Sequence, residues 1–287
     1  MNIQIIILIT VLAIFTSCKT TLHFGDTYFE SNNIAYSISD RNPDIQIRYQ
    51  VGPSPYLQSL KEKYPLDDVL KDNDSDTDKV LKILNWTNSR WKHNGRNSPK
   101  QDDAISILKE AEEGGEFPCF AYAIVLRDQL NASGFKARTV YLKTKDAKKS
   151  KYPPGHVATE VYLPDLQKWI FIDGQFNVMP VLDETPLHAV EFQQAITNQT
   201  NGLKLLSFNR AVTDGEYFGF VYPYLYYLDT TLDNRYEYEN PHQVDGKSSL
   251  MLVPAGARNL KRINFWDMDI DDCLYTNSIL DFYAGPE

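Results

Sequence analysis

A cysteine at the predicted start of a buried helix is the residue best suited to chemistry in this sequence. Cys119 follows a pair of glycines, Gly114 and Gly115, that ends the preceding helical pattern. Pro118 is expected at the first position of the new helix because its fixed φ suits that position. A thiol in the first turn lies near unpaired N–H groups and the positive end of the helix dipole, and both favour the nucleophilic thiolate.

The residues after Cys119 predict a buried helix. Apolar side chains recur there at helical spacing, at Phe120, Ala123, Ile124, Leu126 and Leu130. A lone cysteine on such a helix is more commonly a small core residue than a nucleophile. Catalysis therefore also requires a base and a residue that orients the base.

A predicted hairpin can supply both. A strand over 156–163 opens with His156, and the returning strand ends at Asp173. If Leu163 pairs with Lys168, His156 and Asp173 share one face of the hairpin and lie one diagonal step apart, roughly 7 Å between Cα atoms. The carboxylate would then fix the imidazole tautomer and stabilise the imidazolium, as in hydrolase triads. A shift of one residue in register would separate the two side chains.

Two further helices are expected to lead into the cysteine helix. Ser75 or Thr77 caps the first, over 78–93, and Asp102 caps the second, which ends at the glycine pair. Trp91, on the first helix, either packs in the core or lines a substrate cleft. After the cysteine helix, β-branched and aromatic residues predict a strand over 135–143.

The lysines between the predicted strands at 135–143 and 156–163 allow two interpretations. They form either a solvated loop or a flap whose positive charge favours an acidic substrate. The residues concerned are Lys143, Lys145, Lys148, Lys149 and Lys151.

These elements together resemble the transglutaminase-like superfamily, whose fold is related to that of the papain-like cysteine proteases. The shared pattern is a Gly-rich approach to a cysteine that opens a helix, a Gly-x-x-x-Arg strand, a His at a strand start, and an Asp after a strand containing Trp. The matching residues are Gly114, Gly115, Cys119, Gly134, Arg138, Gly155, His156, Trp169 and Asp173. The resemblance covers about 78–177. It implies that Cys119 is the nucleophile, His156 the general base and then acid, and Asp173 the residue that orients the imidazole.

Two positions depart from the family pattern. Phe117 stands two residues before the cysteine, where Gly is common, and Gly174 and Gln175 follow the Asp, where Pro and a hydroxyl residue are common. The donor that would stabilise an oxyanion has three candidates. They are the backbone N–H of Cys119 and a side chain from Trp91 or Gln175.

The fold class implied is α+β, a papain-like or transglutaminase-like core with N-terminal helices packed on an antiparallel sheet, plus a C-terminal β-rich region. The expected division is a signal peptide at 1–17, a tether with N-terminal strands at 18–64, a catalytic domain at 65–200 and the β-rich region at 201–287. In that last region the alternating aromatics predict a strand with one aromatic face. They are Phe218, Phe220, Tyr222, Tyr224 and Tyr226.

The function implied is a thiol enzyme acting on amide bonds of a protein or peptide substrate through an acyl-enzyme. Hydrolysis (peptidase or amidase) and transamidation both remain open. The alternative is a catalytically inactive binding or scaffold lipoprotein that retains the fold, and a third class is a cell-surface adhesin that uses the aromatic C-terminal sheet. The catalytic interpretation requires Cys119 to be free rather than bridged to Cys273, which is expected to be structural.

The N-terminus predicts export. Residues 1–17 are apolar and uncharged, but the apolar run is shorter than the ~20 residues that span a bilayer. Thr16 and Ser17 precede Cys18 and resemble a bacterial lipobox, in which the cysteine is lipidated. Phe15 replaces the usual Leu, and the leader lacks a Lys or Arg at its start. We expect a lipid anchor at Cys18 on the periplasmic or cell-surface face of a bacterial membrane; ordinary secretion and an uncleaved anchor are the alternatives.

Composition excludes other classes of protein. The net charge of −9 argues against a nucleic-acid partner, which requires a basic surface. The three cysteines form no Cys-x-x-Cys motif or Cys/His cluster, so no zinc site is expected. The Asp-rich segment 71–78 lacks the Gly and terminal Glu of a calcium loop. No cofactor is therefore expected.

Overall fold

The computed structural model describes residues 21–24, 27–38 and 41–286. Cys18 and the leader at 1–17 lie outside these residues. Among the helices described here, none is both long and apolar enough to cross a bilayer.

The chain combines helices with several sheets, as the α+β class requires. The described helices are α1 (Pro55–Lys63), α2 (Asp76–Asn88), α3 (Ala104–Glu112), α4 (Cys119–Ala132), α5 (Ala189–Thr197), α6 (Asp214–Val221) and α7 (Ile279–Phe282), with 3₁₀ turns at Tyr222–Tyr224 and Asn264–Trp266. The described strands are β1 (Thr21–Phe24), β2 (Thr27–Glu30), β3 (Arg48–Tyr49), β4 (Lys136–Lys143), β5 (Gly155–Leu163), β6 (Lys168–Ile172), β7 (Met179–Leu182), β8 (Thr185–Pro186), β9 (Leu203–Leu206), β10 (Tyr227–Thr231), β11 (Asp233–Asn234), β12 (Ser249–Leu252), β13 (Arg262–Ile263), β14 (Met268–Asp269) and β15 (Cys273–Thr276).

A six-stranded sheet carries the fold, in the order β15-β12-β10-β4-β5-β6. Its neighbours pair antiparallel, except β12 and β15, which pair parallel. Side chains alternate between its faces. Val161 and Ile172 join a core cluster with α2 and α4 on one face. Ala158 and Phe171 join a second cluster with α5 and α6 on the other. The sheet is therefore covered by helices on both faces.

The register of the β5–β6 hairpin is the one that the sequence predicted. Leu163 pairs with Lys168, and Thr159 pairs with Ile172. The turn between the strands includes Gln167 at a φ of 49°. This register places His156 and Asp173 on the same face of the sheet.

The predicted helices form with shifted ends. Helix α2 begins after Ser75, whose side chain accepts a hydrogen bond from the Asp78 N–H, and it ends at Asn88 rather than at 93. The cap of α3 is Asp103 rather than Asp102. Trp91 consequently lies beyond α2, in the segment that leads away from it. Lys143, predicted in the lysine loop, is a buried residue of β4 that pairs with Asp229.

The predicted strand over 218–226 is wrong. Helix α6 and a 3₁₀ turn occupy most of this segment, and the next strand starts only at Tyr227. A capping box starts the helix, because the Thr213 side chain accepts from the Glu216 N–H and the Glu216 carboxylate accepts from the Thr213 N–H. Once the helix starts there, residues 218–221 continue it, and burial of Tyr217 and Phe218 holds it on the core. The C-terminal strands β10, β12 and β15 instead extend the central sheet.

A buried ion pair ties β4 to β5. The Arg138 guanidinium donates to the Glu160 carboxylate at 2.8 Å, and both side chains are fully buried. Arg138 also lies over the Trp169 ring, 4.4 Å from its centroid, and donates to the backbone oxygen of Phe282. A buried charge needs such partners. Arg138, the Arg of the Gly-x-x-x-Arg strand, therefore has a structural environment, in which it links β4 to β5.

Candidate active site

The cysteine lies at the start of α4, as predicted. Pro118 is the residue before the first helical turn, with φ −79° and ψ −178°, rather than the first helical residue itself. Its backbone is extended, and the helical conformation begins at Cys119. Cys119 is half-buried, and both it and Cys273 are free cysteines. Its sulfur is therefore not held in a disulfide with Cys273.

The approach to Cys119 is built by close packing around a glycine. A Cβ at Gly115 would lie 2.6 Å from the Phe117 ring and 2.8 Å from the Glu110 carbonyl oxygen, so no larger residue fits without movement. Phe117 is buried against Trp91. The Asn94 N–H donates to the Phe117 carbonyl at 3.1 Å. These contacts hold the segment after α2 against the entrance to α4.

His156 and Asp173 form a buried hydrogen-bonded pair. Nε2 of His156 lies 2.7 Å from Oδ2 of Asp173, and both side chains are almost fully buried. Since Nε2 is occupied by the carboxylate, Nδ1 is the ring nitrogen that remains for the neighbouring Cys119. Asp173 therefore fixes the orientation of the imidazole ring.

The charge balance favours the protonated imidazole. Burial lowers the pKa of His156, but the charge and hydrogen bond of Asp173, with a contribution from Cys119, raise it to about 10. Nearby, burial and then the His156 charge lower the pKa of His93, while Asp173 opposes this. Burial lowers and Asp173 raises the pKa of both histidines, but the net shift is upward for His156 and downward for His93.

Stability is expected to fall as the pH rises through the pKa of His156. The folded-state pKa of about 10 lies above the ordinary value of 6.5. Stabilisation by the protonated ring is therefore complete below pH 6.5 and is lost as the pH passes 10. One pKa unit corresponds to about 1.4 kcal/mol, so the loss amounts to a few kcal/mol at most. Urea unfolding between about pH 6 and about pH 10 measures this change.

The control for this pH dependence is His156→Gln. The variant lacks the titrating ring, so its stability is expected to vary less over the same pH range. If the variant and the unchanged chain show equal slopes, His156 is not the group responsible.

Four donors hold the Asp173 carboxylate. Oδ2 accepts from His156 and from the Tyr217 hydroxyl, each at 2.7 Å. Oδ1 accepts from the backbone N–H groups of Gln175 and Phe176, at 3.0 and 3.2 Å. Asn88 supports the same turn, because its amide donates to the carbonyl oxygens of residues 174 and 175. The carboxylate is therefore satisfied on both oxygens and fixed in orientation.

The residues after Asp173 explain one departure from the family pattern. A Cβ at Gly174 would lie 3.1 Å from Cβ of Tyr122 on α4, so the turn passes close to the cysteine helix. Gln175 contributes its backbone N–H to Asp173, and its side chain is half-buried.

The Trp91 indole is buried, with its ring centroid 4.4 Å from that of Tyr122, and its Nε1 finds no hydrogen-bond partner in the described part of the chain.

Several residues of the site were not predicted. Phe220, Phe176 and Tyr224 surround the His156 ring at centroid distances of 5.2, 6.1 and 6.2 Å. Burial and then the charge of Cys119 raise the pKa of Tyr224. The Thr213-x-x-Glu216 capping box was the signal available for the helix that carries part of this group. The contact between Phe220 and His156 could not be predicted, because no pattern near either residue in the sequence indicates it.

The described residues were predicted to hold no metal, and they contain no cluster of metal-binding side chains. Within 21–24, 27–38 and 41–286, no group of three or more His, Cys, Asp or Glu side chains is arranged to hold a metal ion.

One family model matches the part of the chain that contains the candidate site. Residues 66–174 match the family model of the transglutaminase-like superfamily. No curated protein matches the chain significantly. Among solved structures, the chain is similar to a candidate cysteine protease from Cytophaga hutchinsonii, with 17% identity, a TM-score of 0.35 and coverage of 54% of this chain and 49% of that chain. The chain thus spans about half the length of that protein.

The chain is also similar to calcium-bound LapG of Legionella pneumophila, with 16% identity, a TM-score of 0.31 and coverage of 55% of this chain and 89% of that chain. The segment matched by the family model contains Cys119, His156 and Asp173. Residues 66–174 are therefore similar in sequence to the transglutaminase-like superfamily.

Proposed function

We propose that this protein is a thiol enzyme that acts on amide bonds through Cys119, His156 and Asp173. The observation that carries the proposal is the buried 2.7 Å contact between His156 and Asp173, beside a free cysteine at a helix N-terminus. Each group has the environment that its role needs: the thiol is partly exposed, the imidazole is charged by its carboxylate, and the carboxylate is held by four donors.

The reaction proceeds in two halves. The thiolate of Cys119 attacks the amide carbonyl carbon, and the resulting tetrahedral intermediate collapses to a thioester as His156 gives its proton to the leaving amine. In the second half, neutral His156 takes a proton from water or from an amine, which attacks the thioester carbon and releases the thiolate. Water yields a carboxylic acid and an amine yields a new amide. We favour hydrolysis, because water needs no second binding site.

Trp91 and Gln175 are our candidates for stabilising the oxyanion, together with the backbone N–H of Cys119. The buried indole Nε1 of Trp91 supports its inclusion, because this donor has no hydrogen-bond partner in the described part of the chain. Gln175 lies two residues after Asp173, so its half-buried side chain starts close to the triad.

We further propose that the enzyme is exported and anchored by lipid at Cys18, on the periplasmic or cell-surface face of a bacterial membrane. The apolar leader and the small residues before Cys18 support this location. The substrate would then be a protein or peptide outside the cytoplasm. The division into a tether at 18–64, a catalytic domain at 65–200 and a C-terminal region remains part of the proposal.

Alkylation of the two free thiols tests the proposal. Iodoacetamide is expected to label Cys119 at about pH 6 at least ~100-fold faster than Cys273, because Cys119 is partly exposed at a helix N-terminus beside His156, whereas Cys273 is buried. Cys273 is the internal reference, since its burial and the nearby Asp229 raise the pKa of its thiol. Peptide mapping by mass spectrometry separates the two labels.

The alternative is a binding or scaffold protein without turnover. It predicts an inert Cys119, or one whose labelling rate rises with pH like that of an ordinary thiol. Either result would reject the enzyme. A His156→Gln variant should also slow labelling of Cys119 at low pH and leave Cys273 unchanged.

A further inference from the structure

Tyr217 contacts the site from a part of the chain that the family model does not cover. Its hydroxyl donates to Oδ2 of Asp173 at 2.7 Å, the same oxygen that accepts from Nε2 of His156. The side chain is fully buried. It belongs to α6, whereas the matched segment ends at residue 174.

We propose that Tyr217 is a positioning residue for the reaction, which fixes the Asp173 carboxylate so that Oδ2 faces the imidazole. This inference rests on the proposed function. Tyr217 acts through Asp173 and His156, and it touches neither the sulfur nor the substrate in the proposed mechanism.

The hydrogen-bond geometry carries the inference. A carboxylate can rotate about its terminal torsion, which is broad and two-fold. The N–H groups of Gln175 and Phe176 hold Oδ1, so the backbone turn alone fixes only one oxygen. Tyr217 donates to the other oxygen, Oδ2, which also accepts from His156. With both oxygens held, rotation of the carboxylate would break hydrogen bonds on both sides.

The phenol is kept in the donor state. Burial, and then the charge and hydrogen bond of Asp173, raise the pKa of Tyr217 well above its ordinary value. The hydroxyl therefore stays protonated over the whole range in which an enzyme would work. It donates to the carboxylate without competing for the proton that His156 transfers.

The surroundings of Tyr217 make this donor rigid. The capping box at Thr213 and Glu216 starts α6 one turn before it. Its ring lies 5.2 Å from that of Phe176 and 6.3 Å from that of Phe192. The next turn of the chain brings Phe220 against His156. The C-terminal region thus contributes both a donor behind the carboxylate and a wall beside the imidazole.

Tyr217→Phe tests the inference, with Tyr222→Phe as the matched control. Tyr222 is equally buried, just beyond the end of the same helix, and its hydroxyl contacts Thr197 at 2.8 Å rather than the triad. The assay is hydrolysis of p-nitrophenyl acetate, corrected for the rate of Cys119→Ala. We expect Tyr217→Phe to lower kcat by roughly 10-fold or more, since a hydrogen bond to a charged group is lost. KM should change less than about twofold, because substrate binding is untouched.

A purely structural role predicts a different result. Both phenylalanine variants would then lose stability to a similar extent and keep kcat, and that outcome would overturn the inference. Tyr217→Met, with a flexible apolar side chain, replaces Tyr217→Phe if the latter does not fold. Cys119→Ala separates the two proposals. If it keeps activity, the proposed function fails, whereas an inactive Cys119→Ala beside a fully active Tyr217→Phe refutes the positioning role alone.

Discussion

Replacing Cys119 with alanine or serine is expected to abolish turnover, with kcat/KM falling by at least about 10⁴-fold. Alanine removes the nucleophile. Serine keeps a hydroxyl of similar size, but an alcohol is a far weaker acid and nucleophile than a thiol. The measurement is p-nitrophenol release from the acetate ester, followed by cleavage of a peptide library. The burst of p-nitrophenol that reports thioester formation should disappear.

The control for this experiment is Cys273→Ala. Cys273 is the other cysteine in the described part of the chain, and it is buried in β15, where its side chain contacts the core. Its replacement is expected to cost stability through a small cavity but to leave kcat/KM unchanged. Unchanged turnover in Cys119→Ala on every substrate that the natural chain accepts would remove this residue from the mechanism.

Asp173→Asn is expected to lower kcat by roughly 10³- to 10⁴-fold while the chain still folds. The carboxylate accepts four hydrogen bonds, from His156, Tyr217 and the N–H groups of residues 175 and 176. An amide has one NH₂ group, which cannot accept any of them. If it faces His156, the imidazole must turn Nε2 into an acceptor and carry its proton on Nδ1, towards the sulfur. That tautomer cannot take a proton from the thiol.

Two measurements separate this effect from a general loss of stability. The pH range over which the imidazolium persists should contract, because Asp173 is what raises the pKa of His156 against the effect of burial. Labelling of Cys119 by iodoacetamide at about pH 6 should slow accordingly. Asp229→Asn is the matched control: Asp229 is also buried in the sheet, where it pairs with Lys143, so its variant should lose stability but keep activity.

The site extends further along the chain than the superfamily match. The matched segment ends one residue after Asp173, yet Tyr217, Phe220 and Tyr224 contact or surround the triad from α6 and the turn after it. Strands β10, β12 and β15 extend the sheet on which His156 lies. A chain truncated after the matched segment would therefore lack part of the sheet and the support behind Asp173.

Local sequence signals predicted the parts of the site that lie close together in the chain. A turn of four residues set the register of the β5–β6 hairpin, and that register brought His156 to Asp173. A proline and a glycine pair marked the start of the helix at Cys119. The alternation of aromatics over 218–226 misled, because large apolar residues on a buried helix can also alternate, and the capping box at Thr213 was the stronger signal.

The sequence by itself determined that a cysteine opens a buried helix and that a histidine and an aspartate share one face of a hairpin. Caps, turns and side-chain alternation act over a few residues, so they can be recognised in the sequence without knowledge of the fold. Tertiary structure alone decided that the Tyr217 hydroxyl, 44 residues beyond Asp173, completes the carboxylate's set of donors. It also decided that His93 lies in the electrostatic field of His156. Such contacts depend on how the helices pack across the sheet, and that packing sums many weak apolar contacts with no short-range signature.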